Sequence, residues 1–189
     1  SLGVGLADVM GKGLPAALCV SVIKSAIDYI SINEGTPNHL LEKLNETVEE
    51  NTDLDMFVSM IYGLYEPASH RFLYSSAGHE PGLYYSANSG TFEEMTTKDL
   101  LLGVNKQTKY RLYEKFINID DVLIFFSDGV TESKIDGAFI EKEFLLEEFR
   151  KNIHLHPQDI VMKVCRHLMK LQRFKLRDDF TIIILKRVH

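Results

Sequence analysis

Three acidic positions share one local setting. Asp8 follows the apolar run Gly3-Val4-Gly5-Leu6-Ala7, and Asp128 follows Leu123-Ile124-Phe125-Phe126-Ser127 and precedes Gly129. Asp178-Asp179 stands directly before Phe180-Thr181-Ile182-Ile183-Ile184. Each lies where an apolar strand begins or ends, so its side chain can reach one edge of a sheet; if the three strands adjoin, the carboxylates converge. Carboxylates gathered without Cys or His partners favour a hard, oxygen-preferring ion such as Mg or Mn over zinc. The chemistry implied is metal-assisted hydrolysis. Any one site has a plainer explanation, because Asp-Gly commonly makes a turn and an Asp ahead of a strand is often a solvated edge residue. The recurrence carries the argument.

Other residues are set aside on similar grounds. Gly11 and Gly13 suit a sharp strand-to-helix turn that presents Asp8, and they lack the spacing and the Gly-Lys-Ser/Thr ending of a phosphate-binding P-loop. His79 is a candidate general acid, since an unperturbed imidazole titrates at about 6.5, but a loop imidazole after Gly78 is expected to cap or hydrogen-bond backbone. Cys165-Arg166 lies in an amphipathic helical pattern without the glycine-rich loop that would activate a thiolate. Cys19 and Cys165 are expected to be reduced, buried thiols.

The elements that must position these residues are legible from periodicity. Leu2 to Ala7 reads as a strand running into the glycine turn, and Pro15 opens a helix to about Ser31 with Leu14, Leu18, Val22, Ala26 and Ile30 at helical spacing. Gly35 is a plausible stop. Thr36-Pro37 starts a second helix, Thr as cap and Pro at its first position, with Leu40, Leu41, Leu44 and Val48 on one face to about Glu50. The period then becomes that of strands at Met56 to Glu66, Arg71 to Ala77, Gly82 to Ser86, Lys109 to Phe116 and Val122 to Ser127, with a hairpin connection at Glu66-Pro67-Ala68-Ser69-His70. Helices follow at about Glu141 to Lys151 and Pro157 to Gln172, the latter with Ile160, Val161, Val164, Cys165, Leu168 and Met169 inward, and a last strand runs from Phe180 to Lys186. Helices cluster apart from strands, so the expected class is α+β: antiparallel sheets flanked by helices.

Composition limits the functions available. The chain has 189 residues, 45% of them hydrophobic, enough for one domain spanning 1–189 with a sizeable core. A net charge of -6, with 21 basic residues scattered among 27 acidic ones, provides no basic stripe for nucleic acid. The longest apolar runs, Val122 to Phe126 and Phe180 to Leu185, fall far short of the roughly 18 to 20 residues of a membrane span. The first residues do not read as a secretory signal, and a cytoplasmic setting is expected.

Six stretches in order resemble the PPM or PP2C-type phosphatases, and within them the bacterial SpoIIE/RsbU branch. They are Gly5-Leu6-Ala7-Asp8-Val9-Met10-Gly11-Lys12-Gly13-Leu14-Pro15-Ala16-Ala17, Met56-Phe57-Val58-Ser59-Met60, Ser76-Ala77-Gly78-His79-Glu80-Pro81, Leu101-Leu102-Gly103-Val104, Asp128-Gly129-Val130-Thr131-Glu132 and Arg177-Asp178-Asp179-Phe180-Thr181. The resemblance implies a PP2C-like sandwich of two antiparallel sheets with two Mg or Mn ions at their edges and water-mediated, in-line attack on phosphorus without a covalent phosphoenzyme. It implies Asp8 as a bridging carboxylate, the Val9 carbonyl as a further metal contact, and Asp128 and Asp178 as metal ligands, with Asp179 the alternative at the last site. Members normally carry another metal-binding Asp on a strand upstream of the first motif, and the chain is expected to lack that strand. The implied substrate is a phosphorylated regulatory protein of the anti-sigma-factor antagonist type, as in partner-switching stress or sporulation signalling. An upstream sensor domain, an activator protein and a homodimer are compatible with this branch, the first two helices being candidates to couple them to Asp8. Two other readings stay open: a non-catalytic phosphoprotein-binding module on the same fold, and a small-molecule phosphohydrolase.

Overall fold

The computed structural model describes residues 1–33, 35–51, 56–131, 134–135, 138–140, 142–171 and 181–188, in two compact units, one of residues 1–79 and 96–117 and the other of 80–95 and 118–189. Each unit is built on a four-stranded antiparallel sheet with helices, which gives the α+β class expected.

In the first unit, strand β1 (Leu2–Val9) leads into helices α1 (Leu14–Asn33) and α2 (Pro37–Asn51), and β2 (Val58–Glu66), β3 (Arg71–Ala77) and β6 (Tyr113–Phe116) complete a sheet ordered β1-β2-β3-β6. Helix α2 begins where Thr36 and Pro37 place it, and its Leu40, Leu41, Leu44 and Val48 are essentially inaccessible. Burying four such side chains contributes on the order of 6 to 12 kcal/mol before entropy is counted, so α2 is the element that most firmly covers this sheet. Helix α1 corrects the expectation. Its buried face carries Cys19, Ile23 and Ile30, whereas Leu14 and Leu18 are 71% and 57% exposed. The helix is apolar on more than one side, so spacing alone does not choose which stripe turns inward.

Ladder pairing trims two expected strands. Val58, not Met56, begins β2, although one further backbone bond, from Met10 N to Phe57 O (2.9 Å), extends just beyond it. Only Tyr113–Phe116 of the Lys109 to Phe116 run pairs, opposite Arg71 to Tyr74. Upstream, Asp99 accepts from Arg111 N (3.0 Å) and Ser75 Oγ donates to Arg111 O (2.8 Å), so side chains occupy backbone groups that a strand would have used.

In the second unit, β4 (Gly82–Ser86), β5 (Thr91–Met95), β7 (Val122–Phe126) and β10 (Ile182–Lys186) form a sheet ordered β10-β7-β4-β5. The short helix α3 (Asp128–Thr131), a two-residue hairpin β8 (Lys134–Ile135) and β9 (Ala138–Phe139), and helices α4 (Lys142–Asn152) and α5 (Pro157–Leu171) complete it. Leu145 and Phe149 of α4 and Ile160, Val164 and Leu168 of α5 are buried with Leu83, Val122, Ile124 and Phe126 of the sheet. Val161, Cys165 and Met169 flank that stripe half-buried, so Cys19 is a buried thiol and Cys165 only partly one. Strand β5, not anticipated, pairs with β4 through a hairpin closed by Gly90 N donating to Ser86 O (2.9 Å). Among the described residues no helix is long and apolar enough to cross a membrane.

Candidate active site

Asp8 is the penultimate residue of β1, exposed, and directly opposite Ser59 in the antiparallel β1–β2 register. Opposite residues in such a ladder project to the same face about 5 Å apart. Val9 pairs with Val58, and Met10 N donates to Phe57 O, so pairing holds the strand's end through the residue after the Asp. Gly11 (φ 115°) and Gly13 (φ 76°) then turn the chain through left-handed backbone that an L side chain rarely adopts. Gly13 O accepts from Ala17 N (3.1 Å) as α1 begins. The glycines therefore do what the sequence suggested, turning the chain abruptly after β1 ends at Val9.

Behind this strand end the support is specific. Val58 and Leu102 exchange backbone bonds of 3.1 and 2.9 Å, and Asn45 on α2, fully buried, clasps the same loop. Its Nδ2 donates to Asn105 O (2.9 Å) and its Oδ1 accepts from Gly103 N (2.8 Å). His79, 8% exposed, lies with Nδ1 2.9 Å from Ser59 Oγ, and its backbone N–H donates to Ser76 Oγ (3.3 Å). The imidazole is thus buried and bonded to a side chain of β2, 20 residues away in sequence, where a bond to nearby loop backbone was expected. Ser59, which joins His79 to the strand position opposite Asp8, was not singled out from sequence; its only signal was membership of the Met56 to Met60 stretch.

In the second unit Asp128 opens α3 directly after β7. Ser127 N donates to Thr181 O (3.1 Å), Thr181 N donates to Ser127 Oγ (3.0 Å), and Ser127 O accepts from Val130 N (3.0 Å). Val130 is fully buried and Thr131 Oγ1 donates to Asp128 O (3.1 Å), so the turn is pinned at both ends while the Asp128 side chain stays half-exposed. Asp178 and Asp179 lie outside the described residues, as does Phe180, and Thr181 is the first described residue after them. Among the described residues no three carboxylate, imidazole or thiol groups cluster as a metal site. Asp8 and the Val9 carbonyl in the first unit, and Asp128 in the second, each offer oxygen donors of the kind a hard divalent cation prefers.

Burial pushes the Cys19 and Cys165 thiols up from their ordinary values, which holds them as neutral thiols and leaves neither suited to nucleophilic attack. A further carboxylate, Asp121, is fully buried at the turn before β7, where it accepts from Tyr84 Oη, Asn118 and Ala87 N. Every one of its contacts is structural.

The arrangement of strands and helices is that of the PP2C phosphatase domains. The SiaA PP2C domain of Pseudomonas aeruginosa superposes with a TM-score of 0.85 at 16% identity, over 97% of this chain and 75% of that one. The catalytic domain of the serine/threonine phosphatase PstP, in complex with two manganese ions, gives 0.70 at 16% identity over 99% and 88%. The family model described as "Stage II sporulation protein E (SpoIIE)" matches residues 1–188, and the chain belongs to that family. It is 41% identical over 187 residues to the phosphoserine phosphatase RsbU of Bacillus subtilis, covering 99% of this chain. The chain spans 56% of the length of RsbU.

Proposed function

We propose that this chain is the catalytic part of a metal-dependent protein-serine/threonine phosphatase, with 1–189 acting as one PP2C-like domain. The 41% identity to a phosphoserine phosphatase across essentially the whole chain carries the reading. The substrate in this reading is a phosphorylated regulatory protein of the anti-sigma-factor antagonist type, met in the cytoplasm, with an upstream sensor domain or activator controlling the enzyme and a homodimer as its assembly.

Asp8, the Val9 carbonyl and Asp128 would hold two Mn or Mg ions, together with Asp178 or, as the alternative, Asp179. Bound there, such ions supply Lewis acidity that activates water and neutralises phosphoryl charge. The chain's own contribution is placement. Strand pairing through Met10 and the Gly11–Gly13 turn fix where the Asp8 carboxylate projects, and the Ser127–Thr181 exchange does the same for Asp128. Thr181 follows Asp179 by two residues in the sequence and bonds Ser127 beside Asp128, which supports grouping Asp178 or Asp179 with Asp128. Retention of both Asp8, which is exposed, and Asp128, which is half-exposed, supports an enzyme over a binding module.

Hydrolysis of a phosphoserine peptide, compared with that of nucleoside phosphates under the same Mn concentration, tests the reading. Preferential release of phosphate from the peptide is expected. Preference for nucleotides would favour the small-molecule phosphohydrolase, and binding of the phosphopeptide with no hydrolysis of either would favour the binding module.

A further inference from the structure

Beside the turn that carries Asp128, the second unit has a partly open pocket of about 120 Å³ that no step of the proposed reaction uses. Leu83, Phe126, Ile140, Leu145 and Leu146 form its apolar walls. An apolar cavity of roughly 150 Å³ takes up a benzene-sized guest, so this one has room for one aliphatic side chain. Its polar lining is confined to a few side chains. Glu94 is ion-paired with Lys142, while the exposed Glu80 has no cationic partner among the described residues. Thr131, at the end of α3, contributes to the wall and hydrogen-bonds the Asp128 carbonyl.

Resting on the phosphatase reading, we infer that this pocket is a substrate-specificity subsite, which takes one aliphatic side chain of the phosphoprotein with a basic residue beside it. The apolar walls select the aliphatic group, and the uncompensated Glu80 carboxylate selects the cation. Thr131 lies three helical residues from Asp128, a rise of about 4.5 Å, and an extended peptide advances about 3.3 Å per residue. A phosphoserine held at Asp128 therefore places the pocket within reach of a side chain two or three residues away in the substrate.

The test uses phosphoserine peptides that carry a single Leu two or three residues before or after the phosphoserine, with Arg next to it, each matched to a peptide with Ala in place of Leu. The small phosphoester p-nitrophenyl phosphate serves as a reference that reaches the metal site without touching the pocket. One Leu position is expected to raise kcat/KM at least about tenfold over its Ala match, the scale on which hydrophobic pockets discriminate. Leu146→Trp, filling the cavity, should bring that ratio to about one with p-nitrophenyl phosphate hydrolysis unchanged. The best Leu peptide is also compared with a version carrying Ala in place of Arg. Glu80→Lys, a surface change that leaves the apolar walls intact, should abolish the Arg advantage, and an advantage that survives it overturns the role of Glu80. Equal kcat/KM for every Leu and Ala pair, or a ratio that survives Leu146→Trp, overturns the subsite while leaving the phosphatase standing. Loss of all hydrolysis in the unmodified protein, p-nitrophenyl phosphate included, overturns the phosphatase reading and the subsite with it.

Discussion

Replacing Asp121 by Ala is expected to destabilise the second unit severely, although the residue takes no part in the proposed chemistry. Its carboxylate is inaccessible and accepts four hydrogen bonds: Tyr84 Oη (2.6 Å), Asn118 N (2.7 Å) and Asn118 Nδ2 (3.2 Å) at Oδ2, and Ala87 N (2.8 Å) at Oδ1. The bonds tie the Asn118 to Asp121 turn, in which Asp120 sits in left-handed backbone (φ 67°), to the far end of β4. Truncation to Ala strips the acceptor from the Tyr84 hydroxyl and from the Asn118 and Ala87 amides. Each buried donor left unsatisfied costs about 1 to 3 kcal/mol, and allowing for partial access of water the sum is on the order of 3 to 5 kcal/mol. For a chain of this length that lowers Tm by roughly 6 to 20 °C. Urea denaturation followed by circular dichroism measures it, with Asp121→Asn as the shape-preserving comparison, expected to cost about 1 to 3 kcal/mol because one acceptor oxygen survives. A loss below about 1 kcal/mol for Asp121→Ala would refute the reasoning.

Three further outcomes follow from this and two other buried hydrogen-bond clusters. Burial, reinforced by the Asp121 carboxylate, pushes the Tyr84 hydroxyl up to about 12. That stabilisation is complete below the ordinary tyrosine value near 10 and lost as pH rises through about 12, so Tyr84→Phe should flatten the decline of Tm over this alkaline range. Burial pushes the Glu148 carboxyl up, but hydrogen bonds from Lys151 (2.7 Å) and His167 (2.5 Å) outweigh it and hold it below its ordinary 4.5. Its contribution is present above that value and lost as pH falls through the depressed one, so Glu148→Gln should lose less stability than the unmodified chain in a denaturation series from pH 6 to 3. Asn45→Ala leaves Gly103 N and Asn105 O without their partner and should cost about 1 to 3 kcal/mol in urea denaturation.

Elements whose signals agree at every level were legible in the sequence. Helix α2 has a cap, a Pro at its first position and one unambiguous apolar face, and β3 and β4 match their expected spans residue for residue. Failures occurred where tertiary context decides. Leu14 and Leu18 fit a helical stripe as well as Cys19 and Ile23 do, and only packing selects between the two. Strand β5 was missed because Glu93 and Glu94 give an exposed edge strand the polarity of a loop, the usual protection of a sheet edge. The locations of Asp8 and Asp128 at strand ends were legible because an apolar run stops abruptly at each. Asp121 was not, since Asn118-Ile119-Asp120-Asp121 reads as a solvated turn, and its burial depends on Tyr84 and Ala87, more than 30 residues away.

The central claim is tested most directly by phosphate release from a phosphoserine peptide across a Mn titration, with the unmodified protein set beside Asp128→Asn, both in the full-length chain. The Asn side chain preserves the size of Asp128 at the α3 turn but removes the charged oxygen proposed to hold the ion. The account predicts Mn-dependent hydrolysis in the unmodified protein and its loss, or a shift to much higher Mn, in Asp128→Asn with Tm little changed. Hydrolysis independent of Mn, or undiminished in Asp128→Asn, would contradict it.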